Sequence, residues 1–132
     1  MAESIDEMAR RHRALPRPRL CYVEIPAKDT RASAGFYEAV FGWSIRDRDS
    51  GHPSFHYPQG DVSGAWVSGR AVSREAGFLL YIWVDSIDDT LPRIEKAGGE
   101  TVAKPQHMGD MWIATFRDPA GNVVGLYQED AA

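Results

Sequence analysis

The chain has 132 residues, 43% of them hydrophobic and 26% charged. This composition excludes wholesale disorder and low-complexity architecture and leaves room for one ordinary domain or two very small ones. Net charge is −4, divided as +2 over residues 1–20 and −6 over the rest, so the body is a poor partner for a nucleic-acid backbone. No apolar run is long enough to span a bilayer. The N-terminus lacks the basic start and apolar stretch of a signal peptide, and the single cysteine, Cys21, excludes an internal disulfide and a Cys-rich zinc site. A cytoplasmic protein without membrane or nucleic-acid partners is expected.

Residues 3–13 read as a helix, with Ser4 as cap and Glu7 three positions on. The arginines at 10, 11, 13, 17 and 19 read as a solvated face and tether, because no aromatic residue is interleaved to stack on bases. Leu15-Pro16-Arg17-Pro18 is a stiff link, giving an appendage over 1–18 and a body over 19–128. Residues 20–25 are rich in β-formers and read as a strand. Asp29 and Thr30 can open a helix that Gly42 stops. Short β-like runs follow at 43–46, 55–57 and 62–67. The order then recurs: a strand over Phe78–Val84, a helix capped at Ser86 and stopped at Gly98-Gly99, and β-like runs at 100–103, 111–117 and 122–128. Pro92 implies either a later helix start or a kink. Lys104–Asp110 reads as a polar connection.

This recurrence is an internal repeat. A shift of 57 places Tyr22 on Leu79, Glu24 on Tyr81 and Gly42 on Gly99. A shift of 61 places Tyr57–Trp66 on Asp118–Tyr127, and both segments read x-Pro-x-Gly-(Asp/Asn)-Val-x-Gly-x-aromatic. The expectation is an α+β fold of two tandem βαβββ modules, about 19–70 and 77–128, forming one body with a shared cleft, plus an N-terminal helix.

In that order and spacing the chain resembles the vicinal oxygen chelate superfamily, the glyoxalase/bleomycin-resistance/dioxygenase group. The residues that carry the resemblance are Tyr22–Asp29, Phe36-Tyr37, Phe41-Gly42-Trp43, Val84–Asp88, Gly98-Gly99 and Asp118–Asn122. The resemblance implies small-molecule chemistry or binding in a cleft between modules. In metal-dependent members, His or Glu side chains from the first and last strand of each module hold a divalent ion. Those positions fall here on Tyr22, Gly64, Leu79 and Gly125, none a histidine or carboxylate, so no metal and no cofactor are expected. A displaced site would have to draw on Glu24, His56 and His107, and no close pairing of histidines supports one.

Strand alternation assigns the cleft. Tyr22 and Glu24 face it from the first strand, with Cys21, Val23 and Ile25 on the helices. Leu79, Tyr81 and Trp83 face it from the repeat strand, with Phe78, Leu80, Ile82 and Val84 opposite. Gly64 with Trp66 and Gly125 with Tyr127 complete the set, the glycines leaving space between aromatic walls. Glu24 is the one carboxylate there. Buried among aromatics it suits a general acid or base; the other reading is an exposed or arginine-paired group. His107 would approach a ligand if its segment formed a lid. The functional expectation is a metal-independent small-molecule-binding protein, forming a homodimer. The alternatives are a divalent-metal-dependent lyase, isomerase or dioxygenase using displaced ligands, and an interaction subunit.

Overall fold

The computed structural model describes residues 4–56 and 62–130, with only the backbone of residues 5, 8, 9 and 12. Helix α1 (Ile5–Ala14) opens with a reciprocal capping box. The Glu7 N–H donates to Ser4 Oγ at 3.1 Å and the Ser4 N–H to Glu7 Oε2 at 3.2 Å. Strand β1 (Tyr22–Pro26) leads to α2 (Thr30–Phe41), where Asp29 accepts from the Ala32 N–H and Gly42, at φ 72°, closes the helix in the left-handed region. Strands β2 (Ser44–Arg46), β3 (Ser54–His56) and β4 (Ser63–Val67) complete the first module. Tyr57–Asp61, which holds the first copy of the repeated turn, lies outside the described residues.

The second module begins with β5 (Tyr81–Trp83), shorter than the run expected over Phe78–Val84. Helix α3 (Ile87–Lys96) is capped by Ser86 and carries Pro92 inside it. The missing N–H of Pro92 removes the helix partner only of the Asp88 carbonyl, and Asp88 is an exposed first-turn residue where that loss is cheap. Strand β6 (Glu100–Met108) is longer than expected: most of the segment read as a connection is strand, and the turn is confined to Gly109-Asp110, with Gly109 at φ 64°. Strands β7 (Met111–Arg117) and β8 (Val123–Glu129) end the module.

The strands form two four-stranded sheets, ordered β1-β4-β3-β2 and β5-β8-β7-β6. In each sheet the first strand of the module runs parallel to the last, and the other pairings are antiparallel. The shared strand order is the structural form of the internal repeat, an α+β fold of two βαβββ modules.

Both modules bury one common core. The first sheet gives Ile25, Phe55 and Trp66, the second gives Ala114, Phe116, Val124 and Leu126, and the helices give Phe36, Tyr37, Val40, Ile87 and Ile94. Phe36 meets Phe116 across the junction with ring centroids 6.0 Å apart. Each such large apolar side chain contributes about 1.5–3 kcal/mol, so neither module keeps its core alone. The turn before β8 adds a buried polar junction. Asp118 Oδ1 accepts from the backbone N–H groups of Ala120, Gly121 and Asn122. The Asn122 side-chain amide donates to Asp118 Oδ2 at 2.9 Å and to the Pro26 carbonyl at 2.7 Å, while its Oδ1 accepts from the Ser73 N–H at 2.8 Å.

Candidate binding surfaces

The helices occupy the inner faces of the two sheets, so period-two alternation turns the other residues of each strand outward. In the first sheet Val23 and Ile25 pack inward, and Tyr22 and Glu24 point outward. Ladder pairing carries that face across the sheet. One row runs Tyr22, Ser63, His56 and Ser44; the next runs Glu24, Ala65, Ser54 and Arg46. In the second sheet Ile82 and Leu126 pack inward. Tyr81, Gly125 and Thr115 form one outward row, and Trp83, Tyr127 and Ile113 the next. Trp83 is 67% exposed and meets Tyr127 edge-to-face at 5.8 Å.

Five expected cleft residues therefore point outward: Tyr22, Glu24, Tyr81, Trp83 and Tyr127. Gly125 shares their face, and Leu79 is half-buried ahead of β5. Gly64 and Trp66 are corrected. They pair with Val23 and Ile25 and face the core, where Trp66, 1% exposed, packs on Tyr37, Trp43 and Phe55. The opposite correction applies to Cys21, Phe78 and Leu80, expected against the helices and exposed instead. They precede the strands and escape their alternation.

The glycines do not leave open space. A Cβ at Gly64 would stand 2.1 Å from the Val23 carbonyl oxygen and 2.7 Å from the Phe55 ring. A Cβ at Gly125 would stand 2.5 Å from the Tyr81 ring, which lies over that position. Gly64 is thus a close-packing residue, and Gly125 lets an aromatic ring lie flat on the outward face.

The polar groups divide between the sheets. Glu24 is partly exposed and paired with Arg70 at 2.8 Å, the arginine-paired alternative rather than a carboxyl buried among aromatics. Sequence reasoning missed Arg70 because it lies beyond β4, past the Gly69 turn. It also gave no face to Arg46. His107 stands on the inner face of the second sheet, in a row with Trp112 and Gln128. Its ring contacts Trp112 at 4.6 Å and its Nε2 meets both Asp130 carboxylate oxygens, at 2.9 and 3.1 Å. It is therefore not a lid over the outward face. Partial burial, then the nearby Glu129 and Asp110, raise the Tyr127 phenol above its ordinary range.

A divalent ion does not fit the side chains at the expected ligand positions. Tyr22 and Leu79 supply no anionic or imidazole donor, the Gly64 position is filled by Phe55, and the Gly125 position is covered by Tyr81. Among the described residues, no three His, Cys, Asp or Glu side chains converge.

Two βαβββ modules back to back, with an outward aromatic face, define a protein built like the vicinal oxygen chelate group. The model of the Glyoxalase/Bleomycin resistance protein/Dioxygenase superfamily matches residues 19–126, and the chain belongs to that family. It is 26% identical over 115 residues to the glyoxylase-named CFP32 of Mycobacterium tuberculosis, across 81% of this chain and 44% of that protein. It is 25% identical over 127 residues to the anthracycline biosynthesis protein DnrV of Streptomyces peucetius, across 82% of this chain and 46% of the relative. The chain thus spans less than half the length of these relatives. Its fold is similar to that of TnmS3, an antibiotic-binding protein from Streptomyces sp. CB03234, with a TM-score of 0.67 at 20% identity over 87% of this chain and 98% of the other.

Proposed function

We propose that the chain is a metal-independent small-molecule-binding protein that takes flat, largely apolar ligands on the outward face of its second sheet. The observation that carries this reading is the exposed aromatic platform: Tyr81 laid over Gly125, with Trp83 and Tyr127 in ring contact beside it. Such surfaces gain from stacking and from removal of apolar area from water. The association of DnrV with anthracycline biosynthesis and of TnmS3 with antibiotic binding supports planar, polycyclic ligands.

One chain carries the aromatic wall on one sheet and a polar wall, with Tyr22, His56, Arg46 and the Glu24–Arg70 pair, on the other, and the helices lie between them. A cleft using both walls is completed by a second copy, apolar face against polar face. The relatives of about twice the length support this arrangement, as do the exposed Leu20, Phe78 and Leu80 beside the edge strands β1 and β5. In that cleft the Glu24–Arg70 pair anchors polar ligand groups, and Glu24 is the candidate acid or base if a reaction occurs.

Titration with planar aromatic compounds should quench tryptophan fluorescence saturably in the wild type and much less in Trp83→Ala. Equal, non-saturable quenching in both would overturn the reading. Sedimentation should give a dimer; a monomer that still binds would remove the second wall. The divalent-metal alternative predicts stoichiometric metal in untagged protein and activity on its addition.

A further inference from the structure

We infer that the chain has a second, separate binding site for a small planar organic cation of the amidine type, on the inner side of the second sheet where α3 begins. A cavity of about 220 Å³ opens there, lined by Ile87, Asp88, Pro105, Trp112 and Gln128. It lies on the opposite face of the sheet from Tyr81, Trp83 and Tyr127, so it shares no residue with the proposed ligand platform.

The chemistry of the lining selects the ligand. Trp112 supplies an indole wall, the strongest side-chain partner for a cation over an aromatic face. That ring is held in place: His107 packs against it, and Asp130 fixes His107 with both carboxylate oxygens. The Asp130 N–H in turn donates to the Asp110 carbonyl at 3.1 Å, tying the end of β8 to the β6–β7 turn. Pro105 adds apolar wall, while Ile87, 1% exposed, contributes almost no free side-chain surface. Among the described residues that line the cavity, Asp88, a carboxylate at the exposed rim, is the one charged group, and none is a lysine or arginine. The helix start does not favour an anion here, since the Ile87 N–H is already donated to Gln128 Oε1 at 2.7 Å and acids occupy the first turn at Asp88 and Asp89. A flat cation satisfies both features at once, its π-face on Trp112 and its paired N–H groups on Asp88.

Three near-isosteric probes test charge separately from shape: benzamidine, benzamide and benzoate, titrated into isotopically labelled protein and followed by NMR. Benzamidine should shift the Trp112 indole N–H, the Ile87 amide and the Gln128 side-chain amide saturably. Benzamide should bind at least about fivefold more weakly, and benzoate should leave these signals in place. Asp88→Asn should weaken benzamidine by a similar factor while the His107 and Trp112 signals keep their unliganded positions. Equal binding of the three probes, shifts confined to Trp83 and Tyr81, or no saturable shift at Trp112 would each overturn the assignment.

Discussion

Tyr37 of α2 donates its phenol hydrogen to Oδ2 of Asp118 in the turn before β8, 2.9 Å away and 81 residues along the chain. Both side chains are buried, at 1% and 3% exposure, and the bond joins the helix of one module to the closing hairpin of the other. Burial first, and then the Asp118 carboxylate, push the Tyr37 phenol well above its ordinary value near 10.

The sign of the resulting pH dependence follows from linkage. An unfolded tyrosine ionises above about pH 10, whereas the folded phenol keeps its proton. The stabilisation is complete below that pH and is lost as pH rises through the alkaline range. Urea melts from pH 8 to 11 should show the loss in the wild type and a smaller one in Tyr37→Phe. At neutral pH that variant should lose about 1.5–3 kcal/mol, the worth of a hydrogen bond to a charged group. Parallel pH profiles would show that the pair does not link the modules energetically.

Asn122 should be the more costly position in the same turn. Its side chain serves the linker through Ser73, the end of β1 through Pro26, and Asp118. Asn122→Ala leaves buried partners unmet and is expected to cost about 2–4 kcal/mol, read as a drop in thermal midpoint. A loss below about 1 kcal/mol would mean that water replaces the amide.

The two glycines should respond differently to the same substitution. In Gly64→Ala the added methyl meets backbone, the Val23 carbonyl at 2.1 Å, and the ladder must shift at a cost of about 2 kcal/mol or more. In Gly125→Ala the nearest atoms the methyl meets are those of the half-exposed Tyr81 ring, a side chain that can rotate away. Stability should change by under about 1 kcal/mol, while ligand quenching falls. The reverse ranking in denaturation would place Gly125, not Gly64, in the tightly packed layer.

The Glu24–Arg70 pair is predicted to matter little for folding. Both partners are partly exposed, and such pairs contribute about 0–1 kcal/mol. Glu24→Gln should therefore melt like the wild type. A weakened affinity for ligands with polar substituents would place the pair in the cleft.

Much of the fold was legible because its signals are local. The Ser4–Glu7, Asp29 and Ser86 caps, the Gly42 stop and the repeated module order are all written in neighbouring residues. The faces of β1 and β5 were legible for the same reason: Val23, Ile25 and Ile82 mark the buried side of the alternation. The face of β4 was not. Matching the two Pro-Gly turns at a shift of 61 set Gly64 on Gly125, but the ladders place Ala65 beside Glu24 and Gly125 beside Tyr81. A one-residue difference in a strand exchanges its faces. The small residues Ser63 and Ala65 were the available sign that the outward side of β4 is not its aromatic side. Arg70 and the position of His107 depend on loop path and on the length of β6, which no local pattern carries.

Placing both helices between the sheets separates the side chains that hold the chain together from those that face outward. Phe116, Leu126 and Trp66 hold the chain together from inside, while Tyr81, Trp83 and Tyr127 stand on the outward face, outside that core. A lineage built this way can repaint its exterior with little risk of losing the folded chain at each step.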